Sequence, residues 1–176
     1  MDALPKIIAI DANFLICNGE SSGDRKDKVG HLLVCVDKAK GKVIIPTPAI
    51  AEYLVNADRA GLAVLESLQK RSSVVVANFD LPAAYETSLI DAAAIGRKDK
   101  RDGSDQAWQK IKVDRQIVAI AKSQGAKLIV SDDGGVRDTA ARVGISAVCI
   151  DDLTLPEHAR QAKLPIPEPS AEEGKK

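Results

Sequence analysis

The sequence has few of the residue types on which several classes of protein depend. Its 176 residues include three cysteines and two histidines, and its aromatic residues are two Phe, two Tyr and one Trp. The cysteines are scattered and form no Cys-x-x-Cys pair, which argues against a disulfide framework or a thiolate zinc site and favours a reducing cytoplasm. So few aromatics make base stacking a minor part of any nucleic-acid recognition. With little imidazole available, we expect any catalysis to depend on carboxylates.

The chain also lacks a net charge and a long apolar run. Its 25 Lys and Arg balance 25 Asp and Glu, which argues against a protein that coats nucleic acid through a basic excess. The longest aliphatic runs, residues 7–10 and 128–130, are too short to cross a bilayer, and the first residues lack a signal-peptide pattern. We therefore expect a cytoplasmic protein that makes no membrane contact.

Short aliphatic segments alternate with longer helical patterns along the chain. The predicted strands are 6–10, 42–45, 73–77, 127–131 and 146–150. The predicted helices are 28–39, 48–56, 59–71, 82–95, 105–123 and 135–143. Strands that are apolar on both faces and separated by helices predict an α/β three-layer sandwich, with a parallel sheet covered by helices on each side.

Three stretches fall outside this alternation. Residues 18–28 and 97–105 are rich in charge and are predicted to be solvated loops. Four of the eight prolines lie in the last 21 residues. We therefore predict one domain over residues 1–152 and a proline-rich, flexible tail over residues 153–176.

Several acids lie where a predicted strand ends. Asp11 follows the first strand, Asp132 and Asp133 follow the fourth, and Glu52 lies early in the helix after the second. In an open α/β sheet, ligands bind beyond the carboxyl ends of the strands, near the point where the strand order reverses. Helix capping or a turn also accounts for the three aspartates, and an exposed helix position accounts for Glu52.

Asp114 is the acid with the most informative position. Ile117, Val118 and Ala121 follow it at helical spacing, so its carboxylate shares their apolar stripe. A partly buried carboxylate needs a partner, which could be Lys110 or Arg115 in a salt bridge. Otherwise the acids together suit a hard cation, Mg²⁺ or Mn²⁺, which prefers oxygen ligands.

Four motifs in this order resemble those of the PIN-domain ribonuclease family, which includes the toxin halves of bacterial VapBC toxin–antitoxin pairs. The likeness extends from residue 6 to residue 152. The matching segments are residues 7–16 (IIAIDANFLI), 43–54 (VIIP to AEYL), 114–121 (DRQIVAIA) and 128–133 (LIVSDD).

The resemblance implies a five-stranded parallel sheet in the order 3-2-1-4-5 and a set of functional residues. The implied catalytic residues and metal ligands are Asp11, Glu52, Asp114 and Asp133, with Asp132 as a supplementary metal ligand. The implied supporting residues are Ser131, at the hydroxyl position of the last motif, and Asn13. The sequence departs from the family where an aromatic often follows the last acid, because Gly134 and Gly135 stand there.

The activity implied by the resemblance is hydrolysis of RNA phosphodiester bonds with Mg²⁺ or Mn²⁺ as cofactor. The implied partners are an RNA substrate, an antitoxin protein and a second copy of the chain. The cations that we expect to contact the RNA backbone are Arg97, Lys98, Lys112 and Arg115. A solvated junction between helices also accounts for most cations of this region.

Two other functions remain open on the sequence alone. A haloacid-dehalogenase-like phosphatase also has an acid after its first strand, but it needs Asp-x-Asp there, and Asn13 cannot act as its general acid. The other alternative is a non-catalytic PIN-like scaffold that binds a partner. The retained acids argue against it, since a scaffold has no need to keep repelling carboxylates together.

Overall fold

Five parallel strands form the centre of the protein in the computed structural model, which describes residues 4–157 and 159. The strands are β1 (Ile7–Ile10), β2 (Lys42–Pro46), β3 (Val74–Ala77), β4 (Leu128–Val130) and β5 (Ser146–Val148). Their order in the sheet is β3-β2-β1-β4-β5, and every neighbouring pair is parallel. The predicted fold class and strand order are confirmed.

Helices cover both faces of this sheet. They are α1 (Ala12–Gly19), α2 (Asp24–Lys38), α3 (Thr47–Leu54), α4 (Arg59–Gln69), α5 (Leu81–Gly96), α6 (Trp108–Ser123) and α7 (Gly134–Arg142). Successive residues of a strand face opposite layers. Ile8 and Ile10 of β1 pack in one core with α1, α2 and α4, whereas Ala9 packs in a second core with α5, α6 and α7.

The region after β1 differs from its prediction as a loop over residues 18–28. Helix α1 extends to Gly19 and α2 begins at Asp24, so only four residues separate the helices. Helix α1 is short, but Asp11 caps it by accepting a hydrogen bond from the Phe14 N–H at 3.1 Å. Burial of Phe14 and Leu15 in the core stabilises this helix. The charged residues that follow it led to the prediction of a loop.

At the other end of the domain, packing continues past the predicted boundary at residue 152. Leu153 contacts the core and Pro156 is buried. Most of the predicted tail, residues 158 and 160–176, lies outside the described residues. None of the helices within residues 4–157 is long and apolar enough to cross a membrane.

The register of the central strands determines which side chains meet at the edge of the sheet. Ile10 of β1 lies opposite Val130 of β4. The next residues, Asp11 and Ser131, therefore leave the sheet side by side. Because β1 and β4 are consecutive in space but not in sequence, this is also the point where the strand order reverses.

Candidate active site

Asp11 and Ser131 lie buried side by side at this reversal point. Both are almost inaccessible to solvent, and the Ser131 hydroxyl donates a hydrogen bond to Asp11 Oδ2. The Asn13 amide donates to the same oxygen at 3.3 Å. Burial raises the pKa of Asp11, although these hydrogen bonds oppose the shift. Ser131 Oγ also accepts from the Asp133 N–H at 3.0 Å and so links Asp11 to the next acid.

A second group of acids surrounds the ammonium of Lys110 on α6. Lys110 Nζ lies 2.5 Å from Asp133 Oδ2 and 3.3 Å from Asp114 Oδ1. Asp114 lies one helical turn after Lys110. It is only 2% exposed, as its position in the apolar stripe predicted. Asp133 caps α7 by accepting from the Gly135 N–H at 2.8 Å. Two carboxylates are thus held together by one ammonium.

The pKa values of these acids reflect how little positive charge they share. Burial, followed by repulsion from Asp133, raises the pKa of Asp114 to about 6. Glu52 on α3 faces the same group, and partial loss of hydration and Asp133 raise its pKa, against the attraction of Lys110. Although burial opposes it, the Lys110 ammonium lowers the pKa of Asp133. The structure therefore brings Glu52, Asp114 and Asp133 together, with Asp11 linked to them through Ser131.

Asp132 occupies a different environment from the acid next to it. Its carboxylate pairs with Arg25 of α2, and its Oδ1 accepts from the Ile150 N–H at 2.9 Å. Both oxygens are thus engaged within the protein. Its assignment as a supplementary metal ligand stays a prediction and now requires that the Arg25 pair opens.

The chemistry of the donor set suits a hard divalent cation only in part. Within residues 4–157, no group of three or more His, Cys, Asp or Glu side chains is arranged to hold a metal ion. Asp114 Oδ2, however, is buried and finds no hydrogen-bond donor among the described residues. A buried carboxylate oxygen without a partner is costly, and a cation bound there would remove that cost. Asp114 and Asp133 are therefore the residues that could hold the ion.

Arg115, which was predicted to contact RNA, is buried and held by partners within the protein, so that role stays a prediction that its environment does not favour. It is 1% exposed, and its guanidinium donates to Asp91 at 2.6 Å, to Asp102 at 2.9 Å and to the Lys100 carbonyl at 2.8 Å. The guanidinium also lies over the Trp108 ring, with Cζ 5.5 Å from the centre of the ring. Arg115 thus ties the segment between α5 and α6 to the domain.

The other three predicted cations remain at the surface. Arg97 is exposed but bonds Asp102 with two nitrogens, at 2.5 and 3.1 Å. Lys98 and Lys112 are exposed. The cation that does lie beside the acids is Lys110, which the sequence identified as a salt-bridge partner of Asp114.

Two site residues could not be recognised in the sequence. Arg25 lies in the stretch predicted to be a loop, and nothing in its neighbours indicates a pairing with Asp132 across 107 positions. Gln106 follows the charge-rich stretch and was predicted to lie at the start of a helix over 105–123, whereas α6 begins only at Trp108. Its Oε1 is buried without a hydrogen-bond donor within the described chain, and a lone amide at such a position carries no sequence signal.

Solved structures from bacterial toxin–antitoxin systems share this fold. A chain of VapBC2 from Rickettsia felis, a complex bound to a DNA fragment from its promoter, aligns with a TM-score of 0.59 at 11% identity, covering 81% of this chain and 98% of that chain. A chain of DNA-bound VapBC from Salmonella typhimurium aligns with a TM-score of 0.53 at 19% identity, covering 83% and 99%. No protein-family model and no curated protein matches the sequence. The resemblance to the VapC-type PIN domain is thereby confirmed at the level of the fold.

Proposed function

We propose that the protein is an endoribonuclease that depends on Mg²⁺ or Mn²⁺ and cuts RNA phosphodiester bonds in the cleft at the end of β1 and β4. The observation that carries this proposal is the excess of carboxylate over positive charge around Asp114. Asp114 and Asp133 share the ammonium of Lys110, and Asp114 is repelled by both Asp133 and Glu52. Such a group is retained at a cost in stability, which is typical of a catalytic site.

The contacts of each side chain indicate its role in this proposal. Asp114 and Asp133 hold the cation, and Glu52, which is exposed on α3, faces the approaching substrate. Asp11, held in place by Ser131 and Asn13, orients the water that attacks phosphorus. When bound, the cation lowers the pKa of a water and neutralises charge on the phosphate.

Lys110 supplies the remaining positive charge in the cleft. Its side chain is 40% exposed, so its ammonium is accessible to a phosphate of the bound RNA. Lys98 and Lys112 contact the backbone of the RNA further out. Binding of RNA therefore depends on a few local cations and the metal rather than on net charge, which is zero.

The protein also has partners under this proposal. The two similar structures are VapBC complexes, and we infer that this chain likewise acts as a toxin held inactive by an antitoxin. The exposed apolar side chains of Leu81, Tyr85 and Leu89, each four residues apart on α5, favour self-association into a homodimer. Co-expression with the neighbouring reading frame and a mass measured by light scattering test these two partners.

The central experiment compares two aspartates with the same capping role. Asp11 caps α1 and Asp80 caps α5, each by accepting from the N–H three residues later, at 3.1 and 3.0 Å. Asparagine preserves such a cap. We expect Asp11→Asn to lower the rate of Mn²⁺-dependent RNA cleavage by at least about 100-fold, and Asp80→Asn to leave it unchanged.

Parallel substrates separate the alternatives. Purified protein is incubated with Mn²⁺ and structured RNA, with DNA of the same sequence, or with a chromogenic phosphate monoester. Cleavage of the monoester alone would identify a phosphatase, and no cleavage of any substrate would favour a binding scaffold. Equal rates for the wild type and Asp11→Asn would refute the site.

A further inference from the structure

A cavity of about 240 Å³ lies beside the acids, between the N-terminus of α7 and the segment that connects α5 with α6. Gln106, Asp114 and Gly135 are among the residues that line it. The liquid volume of one water is about 30 Å³, so the cavity has room for an ion together with several waters. Mg²⁺ and Mn²⁺ ordinarily keep several of their waters when bound to protein.

Three oxygens converge on one side of Gly135 at the wall of this cavity. A methyl group built on Gly135 would collide with Asp114 Oδ2 and would lie 3.2 Å from both Asp133 Oδ1 and Gln106 Oε1. These are not the oxygens that Lys110 holds, since its ammonium contacts Asp114 Oδ1 and Asp133 Oδ2. Each carboxylate therefore presents one oxygen to Lys110 and the other to this point.

Two of the three converging oxygens have no hydrogen-bond donor in the described part of the chain. Asp114 Oδ2 and Gln106 Oε1 are both buried and unpartnered. Two acceptors that face each other in a buried space repel, and a cation between them turns this repulsion into attraction. With Gln106 the set contains two carboxylate oxygens and one neutral carbonyl oxygen, which is a donor set that Mg²⁺ and Mn²⁺ accept.

The segment that carries Gln106 is held firmly in place. Asp99 accepts from the Arg101 N–H at 3.0 Å and from the Gly103 N–H at 2.6 Å. Asp102 is bonded by Arg97 and Arg115. The Gln106 N–H donates to Ser104 Oγ at 3.2 Å. Such anchoring limits the entropy lost when the amide binds an ion.

We propose that Gln106 supplies the third oxygen of the divalent-cation site, beside Asp114 and Asp133, with the amide oxygen bound to the ion or to one of its waters. The proposal rests on the metal dependence included in the proposed function. It also explains why Gly135 has no side chain, because any Cβ at this position would fill the space where the three oxygens meet.

The test measures Mn²⁺ binding to the purified full-length chain by the loss of the free-ion paramagnetic resonance signal. We expect Gln106→Met, which keeps the shape and removes the oxygen, to weaken Mn²⁺ binding by about tenfold. Gln106→Glu retains an oxygen and is expected to bind at least as tightly as the wild type. Gln109→Met, at an exposed position on α6, is the matched control and should have no effect.

The opposite result is expected if the Gln106 amide is turned so that its nitrogen, and not its oxygen, points toward Asp114. If the amide nitrogen donated to Asp114, its removal would free a carboxylate oxygen, and Gln106→Met would bind Mn²⁺ as well as the wild type or better. That result would overturn the proposal. Gly135→Ala provides an independent variant, since alanine suits a helix but its methyl would obstruct the same oxygens and should also weaken binding.

RNA cleavage measured on the same samples distinguishes the two proposals. If the wild type binds Mn²⁺ and cuts RNA but Gln106→Met binds Mn²⁺ equally well, only the role of Gln106 is refuted. Weakened binding in Gln106→Met together with no cleavage by the wild type would refute the ribonuclease and leave the cation site standing. A wild type that binds no Mn²⁺ would refute both.

Discussion

Asp102 and Asp114 line the same cavity and have side chains that are almost inaccessible to solvent, yet their surroundings are opposite. Asp102 lies among Arg97, Arg115 and Arg142, and although burial alone would raise its pKa, these guanidiniums lower it. Asp114 has Lys110 as its one charged partner of opposite sign among the described residues, and burial and Asp133 raise its pKa to about 6. The first carboxylate is stabilised by its neighbours and the second is destabilised by them.

This difference separates a structural group from a functional one. Asp102 ties the segment between α5 and α6 to α6 and α7, and it needs no further ligand. Asp114 has an oxygen without a donor in the described structure, and a protein gains no stability from keeping it ionised. Burial of an acid is therefore not by itself a sign of function, whereas burial without sufficient positive charge is.

The largest effect is expected when the structural aspartate loses its charge. Asp102→Asn leaves the buried guanidinium of Arg115 with one fewer carboxylate, and removal of one partner of a buried ion pair costs about 3 kcal/mol of unfolding free energy. Asparagine tolerates the positive φ of 53° at this position, so backbone strain does not contribute. Denaturant unfolding at neutral pH measures the loss.

Lowering the pH should remove the difference in unfolding free energy between the wild type and Asp102→Asn. Because the pKa of Asp102 is lowered in the folded state, its contribution is present above the unfolded pKa of about 3.9 and is lost as the pH falls through the folded value. Asp105→Asn, at an exposed position of the same segment, is the control and should change stability by less than about 0.5 kcal/mol. A similar loss in both variants would contradict the role of the charge.

A smaller effect of opposite sign is expected at the functional aspartate. Without metal, Asp114→Asn removes repulsion with Asp133 and should raise the unfolding free energy by about 1 kcal/mol at neutral pH. The folded state of the wild type holds a proton up to a pKa of about 6, whereas unfolded Asp loses it at about 3.9. The unfolding free energy of the wild type thus falls as the pH rises from about 3.9 to about 6. The greater stability of Asp114→Asn should therefore vanish as the pH is lowered toward about 3.9.

Added Mn²⁺ sharpens the contrast. It stabilises the folded wild type by mass action and should reverse the order of the two melting temperatures at neutral pH. Asp114→Asn that melts below the wild type without metal would show that Asp114 is a structural residue like Asp102.

The sequence was informative where a feature depends on local spacing. The strands and the apolar stripe that buries Asp114 follow from periodicity, and the strand order followed from the resemblance. The pairing of Asp114 with Lys110 is also local, because the two residues are one helical turn apart.

Features that depend on distant partners could not be predicted. Arg115 stands in a run of cations that looks solvated, and only the folded chain brings Asp91 and Asp102 to its guanidinium. Gln106 has a neutral side chain with no periodicity, and its position beside Asp114 results from the packing of α6 against α7. Helix α1 was missed because Asp11 and the core stabilise it more than its own short sequence does.

The smallest effect is expected for the one ammonium among the acids. Without metal, Lys110→Met leaves Asp114 and Asp133 to repel each other, and it should lower the unfolding free energy by about 0.5 kcal/mol, because the lysine is partly exposed and screened by solvent. With Mn²⁺ the loss should disappear, since a divalent cation neutralises the same two carboxylates through their other oxygens. Lys112→Met, exposed on the same helix, controls for the change of side chain. A loss for Lys110→Met that is equal with and without Mn²⁺ would mean that the ammonium and the cation occupy independent sites, and that Asp114 is paired as fully as Asp102.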